Sequence, residues 1–219
     1  MGRERIRLYV NILLAVLVFG SWLGMFFFGT GSLVQNGFGS LRYFTLLSNL
    51  FVGFVAIAWL VSSGKGKGGD DRASVRVERL KYIAAASVGL TFATVLFFLG
   101  PIYGYPEMFK GFNLPLHLII PVIAILEVIF LADMPFTRRD NLLVIIPPLM
   151  YGIGYLINIL VNGIGEWPDT NDWYFFFHWG YPVGALIYVI LTAVTWSIGF
   201  AMRKLQKAGS VYEAKEKRS

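Results

Sequence analysis

The sequence predicts an all-α, polytopic membrane protein: a bundle of six transmembrane helices with both termini on the cytoplasmic side. Three observations carry that prediction. The 219 residues are 56% hydrophobic and 16% aromatic with only 15% charged, too apolar a balance for a domain dissolved in water. Six apolar stretches, at residues 8–28, 43–62, 80–99, 114–131, 142–161 and 178–202, come close to the roughly 20 residues that cross a hydrocarbon core. Lysine and arginine gather in alternate connections, as the positive-inside rule requires. With no water in a bilayer core to pair backbone groups, each stretch must be a helix, and one integral membrane domain accounts for the whole chain.

The first stretch follows Arg3, Arg5 and Arg7 and has the look of a signal peptide. It is longer than a secretory apolar region and lacks a small-residue cleavage site, so a retained helix is expected. Between the second and third stretches lies Ser63-Gly64-Lys65-Gly66-Lys67-Gly68-Gly69, glycine-rich but without Walker spacing or its terminal Lys-Ser/Thr. A flexible basic linker is expected there. Lys65, Lys67, Arg72, Arg76, Arg79 and Lys81 mark this connection as cytoplasmic, as do Arg138 and Arg139 before the fifth stretch. Residues 203–219, with Arg203, Lys204, Lys207, Lys215, Lys217 and Arg218, read as a basic cytoplasmic tail. Only Arg42 and Lys110 fall on the other side. The connection from Gly165 to Phe177 is acidic, aromatic and free of lysine and arginine, and reads as an interfacial aromatic belt, with a substrate lid as the alternative.

The net charge of +6 is thereby assigned to membrane topology and not to nucleic acid. A multi-pass protein of the cell (plasma) membrane is expected. The absence of cysteine excludes disulfides, thiolate metal sites and cysteine nucleophiles.

This orientation turns the polar residues into a map of depth. Arg42, Thr45, Ser48 and Asn49 recur at i, i+3, i+6 and i+7, on one face of the second helix near its outer end. His117, Asn158 and His178 fall at similar depth, while Asn11 and Glu127 lie toward the inner half. Ionisable groups inside a membrane are costly, so each is a functional candidate. Both histidines have a proline four residues on, Pro121 and Pro182. A proline cannot donate to the carbonyl of residue i−4, so the helices are expected to bend or open there. Glu127 reads either as a proton-relay carboxylate or as a partner of Arg138 or Arg139. Arg42 reads as an interfacial anchor that is also the basic group best placed to meet an anionic head.

Without cysteine, a nucleophile must be a hydroxyl activated by a base. Thr45 with His117 meets that need: Thr45 attacks an ester carbonyl, His117 serves as general base and then acid, and water releases the acyl group. Asn49, Ser48 or Asn158 could stabilise the oxyanion, and Asn113, Asn158 or His178 could orient His117. A site at this depth selects lipid esters drawn from the bilayer and calls for no metal or cofactor. Two alternatives remain at this point: a non-catalytic carrier of a lipid or small amphiphile, and a b-type haem protein with His117 and His178 as axial ligands.

Two segments, Arg42-Tyr43-Phe44-Thr45-Leu46-Leu47-Ser48-Asn49-Leu50 and Asn113-Leu114-Pro115-Leu116-His117-Leu118-Ile119-Ile120-Pro121, resemble the androgen-induced protein and androgen-dependent TFPI-regulating protein family, above all its short bacterial-looking relatives. The resemblance implies an intramembrane threonine hydrolase that cleaves fatty acid esters of hydroxy fatty acids. It implies Thr45 as the nucleophile and His117 as the base.

Overall fold

A computed structural model of the chain describes residues 2–28, 37–63, 71–166 and 170–216. Among them are helices and no strand. The long elements are α1 (Arg3–Phe28), α2 (Phe44–Ser63) and α3 (Asp71–Thr94), then α4 (Ile120–Leu131), α5 (Arg138–Leu143), α6 (Ile146–Asn162) and α7 (Tyr181–Glu216). Five stretches are long and apolar enough to cross a membrane: Arg3–Phe28, Phe44–Ser63, Arg72–Tyr103, Arg138–Asn162 and Tyr181–Gly209. The apolar helix Pro115–Leu131 is shorter.

Helix α3 is the axle of the bundle. Residues 81–91 are buried on every side, and the helix packs against α2, α4 and α7. A helix apolar all round belongs in an interior, and the small side chains of Ala84, Ala85, Ala86 and Gly89 let neighbouring backbones approach. Helix α1 closes one side against α2 and α4. Large apolar side chains such as Val16, Phe54, Ile157 and Val189 are exposed on the outer faces, where a bilayer would cover them.

Local chemistry shifts several expected boundaries. Helix α3 starts at Asp71 and not near residue 80, so Arg72, Arg76, Arg79 and Lys81 are helical. The fifth stretch is divided into α5 and α6 because Pro147 and Pro148 cannot donate within a helix; they sit in the first turn of α6, where that loss costs nothing. Thr137 opens α5 through a reciprocal cap in which Asp140 N donates to Thr137 Oγ1 at 3.2 Å and Thr137 N donates to Asp140 Oδ2 at 2.8 Å. Helix α7 begins at Tyr181 after Gly180, whose φ of 90° favours glycine, and it runs on to Glu216. The basic segment from 203 is thus helical through residue 216, while Lys217 and Arg218, like the linker lysines Lys65 and Lys67, lie outside the described residues.

The largest departure concerns charge. Arg7 and Lys81, expected at the cytoplasmic edge, are buried. The Arg7 guanidinium pairs with Glu78 at 2.6 Å, with Glu127 at 3.4 Å and with Asp133. Lys81 Nζ pairs with Glu127 at 2.6 Å and donates to Asn11 Oδ1. Asn11 Nδ2 donates to Glu127 Oε1 at 2.7 Å, and the Trp59 ring lies 4.7 Å from the Arg7 guanidinium and 5.6 Å from the Lys81 ammonium. Glu127 therefore meets α1 and α3 across the bundle, not Arg138 or Arg139. Four buried charges of balanced sign satisfy one another, the condition for ionised groups in an apolar interior.

Candidate functional site

Thr45 stands in the first turn of α2, where two side chains one turn on read its carbonyl. Ser48 Oγ donates to it at 3.0 Å and Asn49 Nδ2 donates to it at 2.7 Å. The same Nδ2 donates to the Leu116 carbonyl at 3.0 Å, so the start of α2 lies against the segment that carries His117. With its one proton committed to Thr45, Ser48 Oγ accepts from Thr91 Oγ1, 3.0 Å away on α3. The donors of Ser48 and Asn49 are thus spent on protein oxygens. Both residues brace Thr45 in place of the oxyanion role expected for them.

His117 lies in a π-helical turn, Pro115–Ile119, in which the Ile120 N–H reaches back to the Pro115 carbonyl. Pro121 is the cause: it has no N–H for the His117 carbonyl, so the regular ladder opens where the sequence predicts. A similar turn, Val95–Leu99, precedes Pro101 at the end of α3. The ring of His117 is buried, with Nδ1 2.6 Å from the Met108 carbonyl. A carbonyl only accepts, so Nδ1 carries the proton and Nε2 is left as the basic nitrogen. The orienting group is a backbone oxygen of the short helix Tyr105–Met108, in place of Asn113, Asn158 or His178.

Thr45 lines a cavity between α2, α3, α6 and α7. Aliphatic and aromatic side chains make most of its wall, and Thr91, Thr94, Thr192, Tyr151, Tyr174 and Tyr188 add hydroxyls. His117 does not line it; the Asn49 bridge ties the preceding residue, Leu116, to the start of α2. The acidic, aromatic connection closes one end with Tyr174 and Phe176. Buried Asp172 ties that connection down, accepting from Tyr155 Oη at 2.6 Å and from the backbone of Phe176 and Phe177, both at 2.9 Å. Residues 167–169 of the connection lie outside the described residues. Tyr174 Oη accepts from Phe44 N at 2.9 Å, and burial pushes its phenol up to about 12, which keeps it neutral. Arg42 sits beside this wall: its carbonyl accepts from Tyr151 Oη at 2.7 Å and its guanidinium lies 5.2 Å from the Trp173 ring.

No family model, curated protein or solved structure matches this chain.

The structure therefore brings together Thr45, Ser48, Asn49 and the His117 segment, with Arg42 nearby; of these Thr45 lines the cavity, and Asn158 and His178 make none of these contacts. Asn158 on α6 accepts from Asn162 at 3.0 Å. His178 precedes α7, exposed, with Phe175 and Trp179 as its ring neighbours, whereas His117 is buried against Met108. Thr91, Thr94, Tyr188 and Thr192 escaped the sequence reading, although Thr91 and Thr94 share a face of α3 at i, i+3 and Tyr188 and Thr192 share one of α7 at i, i+4.

Gly152 on α6 sets the position of Tyr188. A Cβ there would lie 2.5 Å from Tyr188 Cε1, so the ring rests directly on glycine backbone. Gly152→Ala is expected to displace that ring and cost about 1–3 kcal/mol by overpacking. The check is a lower melting temperature in detergent; an unchanged one would show that the ring moves freely.

Proposed function

We propose that the chain is an intramembrane lipid-ester hydrolase that uses Thr45 as nucleophile and His117 as general base. The observation that carries this reading is the Asn49 bridge, which ties the backbone carbonyl of a cavity-lining threonine to that of Leu116, the residue before a buried histidine whose Nδ1 is committed to a carbonyl. The Thr45 hydroxyl attacks the ester carbonyl as its proton passes to His117 Nε2. Collapse of the tetrahedral adduct expels the alcohol, which takes that proton, leaving acyl-threonine. Water, deprotonated by the same nitrogen, then releases the carboxylic acid and restores the threonine.

The resemblance to the androgen-induced protein family supports fatty acid esters of hydroxy fatty acids as substrates. Their free carboxylate would lie toward Arg42 and their chains within the aromatic wall. Membrane passage through six helices with cytoplasmic termini, in the plasma membrane, completes the proposal. The helix Pro115–Leu131 spans about 26 Å at 1.5 Å per residue, close to the thickness of a bilayer core. With Arg7 and Lys81 set aside as buried, Arg3, Arg5, Arg72, Arg76, Arg138, Arg139 and Lys204 still outweigh Arg42 and Lys110.

Labelling of the protein in liposomes with a fluorophosphonate tests the nucleophile directly. The expected adduct maps to Thr45 by mass spectrometry and vanishes in Thr45→Ala. Labelling that persists in that variant refutes the assignment. One observation favours a second reading, a lipid carrier: His117 is absent from the cavity wall. A carrier retains ligand exchange in Thr45→Ala and shows no turnover in the wild type.

A further inference from the structure

The cavity contains hydroxyls that differ in one respect, whether their protons are already used. Thr91 Oγ1 donates to Ser48, Thr192 Oγ1 donates to the Tyr188 carbonyl at 2.8 Å, and Tyr151 Oη donates to the Arg42 carbonyl at 2.7 Å. The Tyr188 hydroxyl is buried with no hydrogen-bond partner, and no other cavity-lining side chain among the described residues carries a buried polar atom in that condition. An unpaired buried donor is rare in folded proteins and marks a place where a partner belongs. The Tyr188 ring is held there, on Gly152 behind and against Phe176, whose ring centroid is 5.5 Å away at an interplanar angle of 85°. Its position is therefore built by packing and not by a hydrogen bond of its own.

The rest of the wall defines what that partner can be. Among the described lining residues there is no Lys, Arg, His, Asp or Glu, so nothing in the cavity pairs with a full charge. Burying an unpaired ion in such surroundings costs far more than burying a neutral acceptor. The ligand group meeting Tyr188 is an uncharged oxygen acceptor on an apolar chain, and an ester carbonyl fits.

We propose that the Tyr188 hydroxyl is the donor that binds and orients the carbonyl oxygen of a lipid's uncharged ester group in this cavity. The inference rests on the hydrolase reading for the identity of the ester, but concerns binding alone. Tyr188 on α7 and Thr45 on α2 line the same cavity, so a carbonyl held by Tyr188 shares that space with the proposed nucleophile.

The test is a thermal-shift titration of the full chain in detergent micelles with methyl palmitate and with hexadecane as probes. It is made in the Thr45→Ala background, so that hydrolysis cannot consume the ester. Adding Tyr188→Phe is expected to raise the half-saturating concentration of methyl palmitate about tenfold, equivalent to about 1.4 kcal/mol, and to leave that of hexadecane unchanged. The ligand-free melting temperature is expected to stay level or rise, because the variant removes an unsatisfied buried group. Unaltered ester binding, equal weakening of both probes, no ester binding in the parent, or a ligand-free melting temperature several degrees lower would each overturn the proposal. Failure of the hydrolase reading looks different: wild-type protein then binds methyl palmitate through Tyr188 and never turns an ester over.

Discussion

Replacing Thr45 with alanine is expected to abolish release of fatty acid from a fatty acid ester of a hydroxy fatty acid in liposomes, and replacing His117 with alanine to do the same. Removing a nucleophile or its base costs about 10⁴ to 10⁶ in kcat where the two act as a unit. The double variant is then no slower than either single one, because the second deletion removes nothing that still operates. Thr45→Ser keeps the hydroxyl and is expected to retain measurable turnover. The side-chain bonds that brace this turn go to the Thr45 carbonyl, so Thr45→Ala leaves them in place and its melting temperature should stay near that of the wild type. Wild-type turnover in Thr45→Ala defeats the nucleophile assignment. Turnover retained in His117→Ala leaves the threonine without its base.

Lys81→Met is expected to be among the most damaging single changes, though Lys81 does not line the cavity that holds Thr45. Lys81 Nζ is 2.6 Å from Glu127, which Arg7 meets only at 3.4 Å. Taking away one member of a buried ion pair strands its partner, at a cost of about 3–5 kcal/mol. Removing both charges with Lys81→Met and Glu127→Gln is expected to recover much of that loss, since no ion of that pair is then left exposed to an apolar interior. Melting curves of the four proteins in detergent give the coupling energy as a double-mutant cycle. Additive losses would show that the pair contributes nothing as a pair.

Much of this architecture is legible in the sequence because the bilayer leaves few options. Continuous apolar runs must be helices, and Pro121 announces the opened turn at His117 from its missing N–H alone. Charge was harder to read. Arg7 and Lys81 lie near the ends of apolar runs and resemble topology markers; their burial depends on Glu78 and Glu127, and the Arg7–Glu127 contact joins residues 120 apart. His178 was misplaced for a local reason, since Gly180 and Pro182 delay α7 until Tyr181. The cavity was the least visible feature, as its hydroxyls come from α2, α3, α6 and α7 and meet only through packing. The group orienting His117 had no sequence signal at all, because every residue carries a backbone carbonyl.

The buried charges also bear on how the chain is made. Helices enter a membrane in the order of synthesis, and a lysine or arginine at the centre of a lone helix costs about 2.5–3.5 kcal/mol to insert. Helix α1 brings Arg7 and α3 brings Glu78 and Lys81, but the carboxylate that Lys81 needs arrives only with Glu127 on α4. Until then the nascent protein holds a cation in excess, and α1 and α3 have reason to stay beside the insertion machinery, out of free lipid. Emergence of α4 is the step at which the four buried charges come into balance.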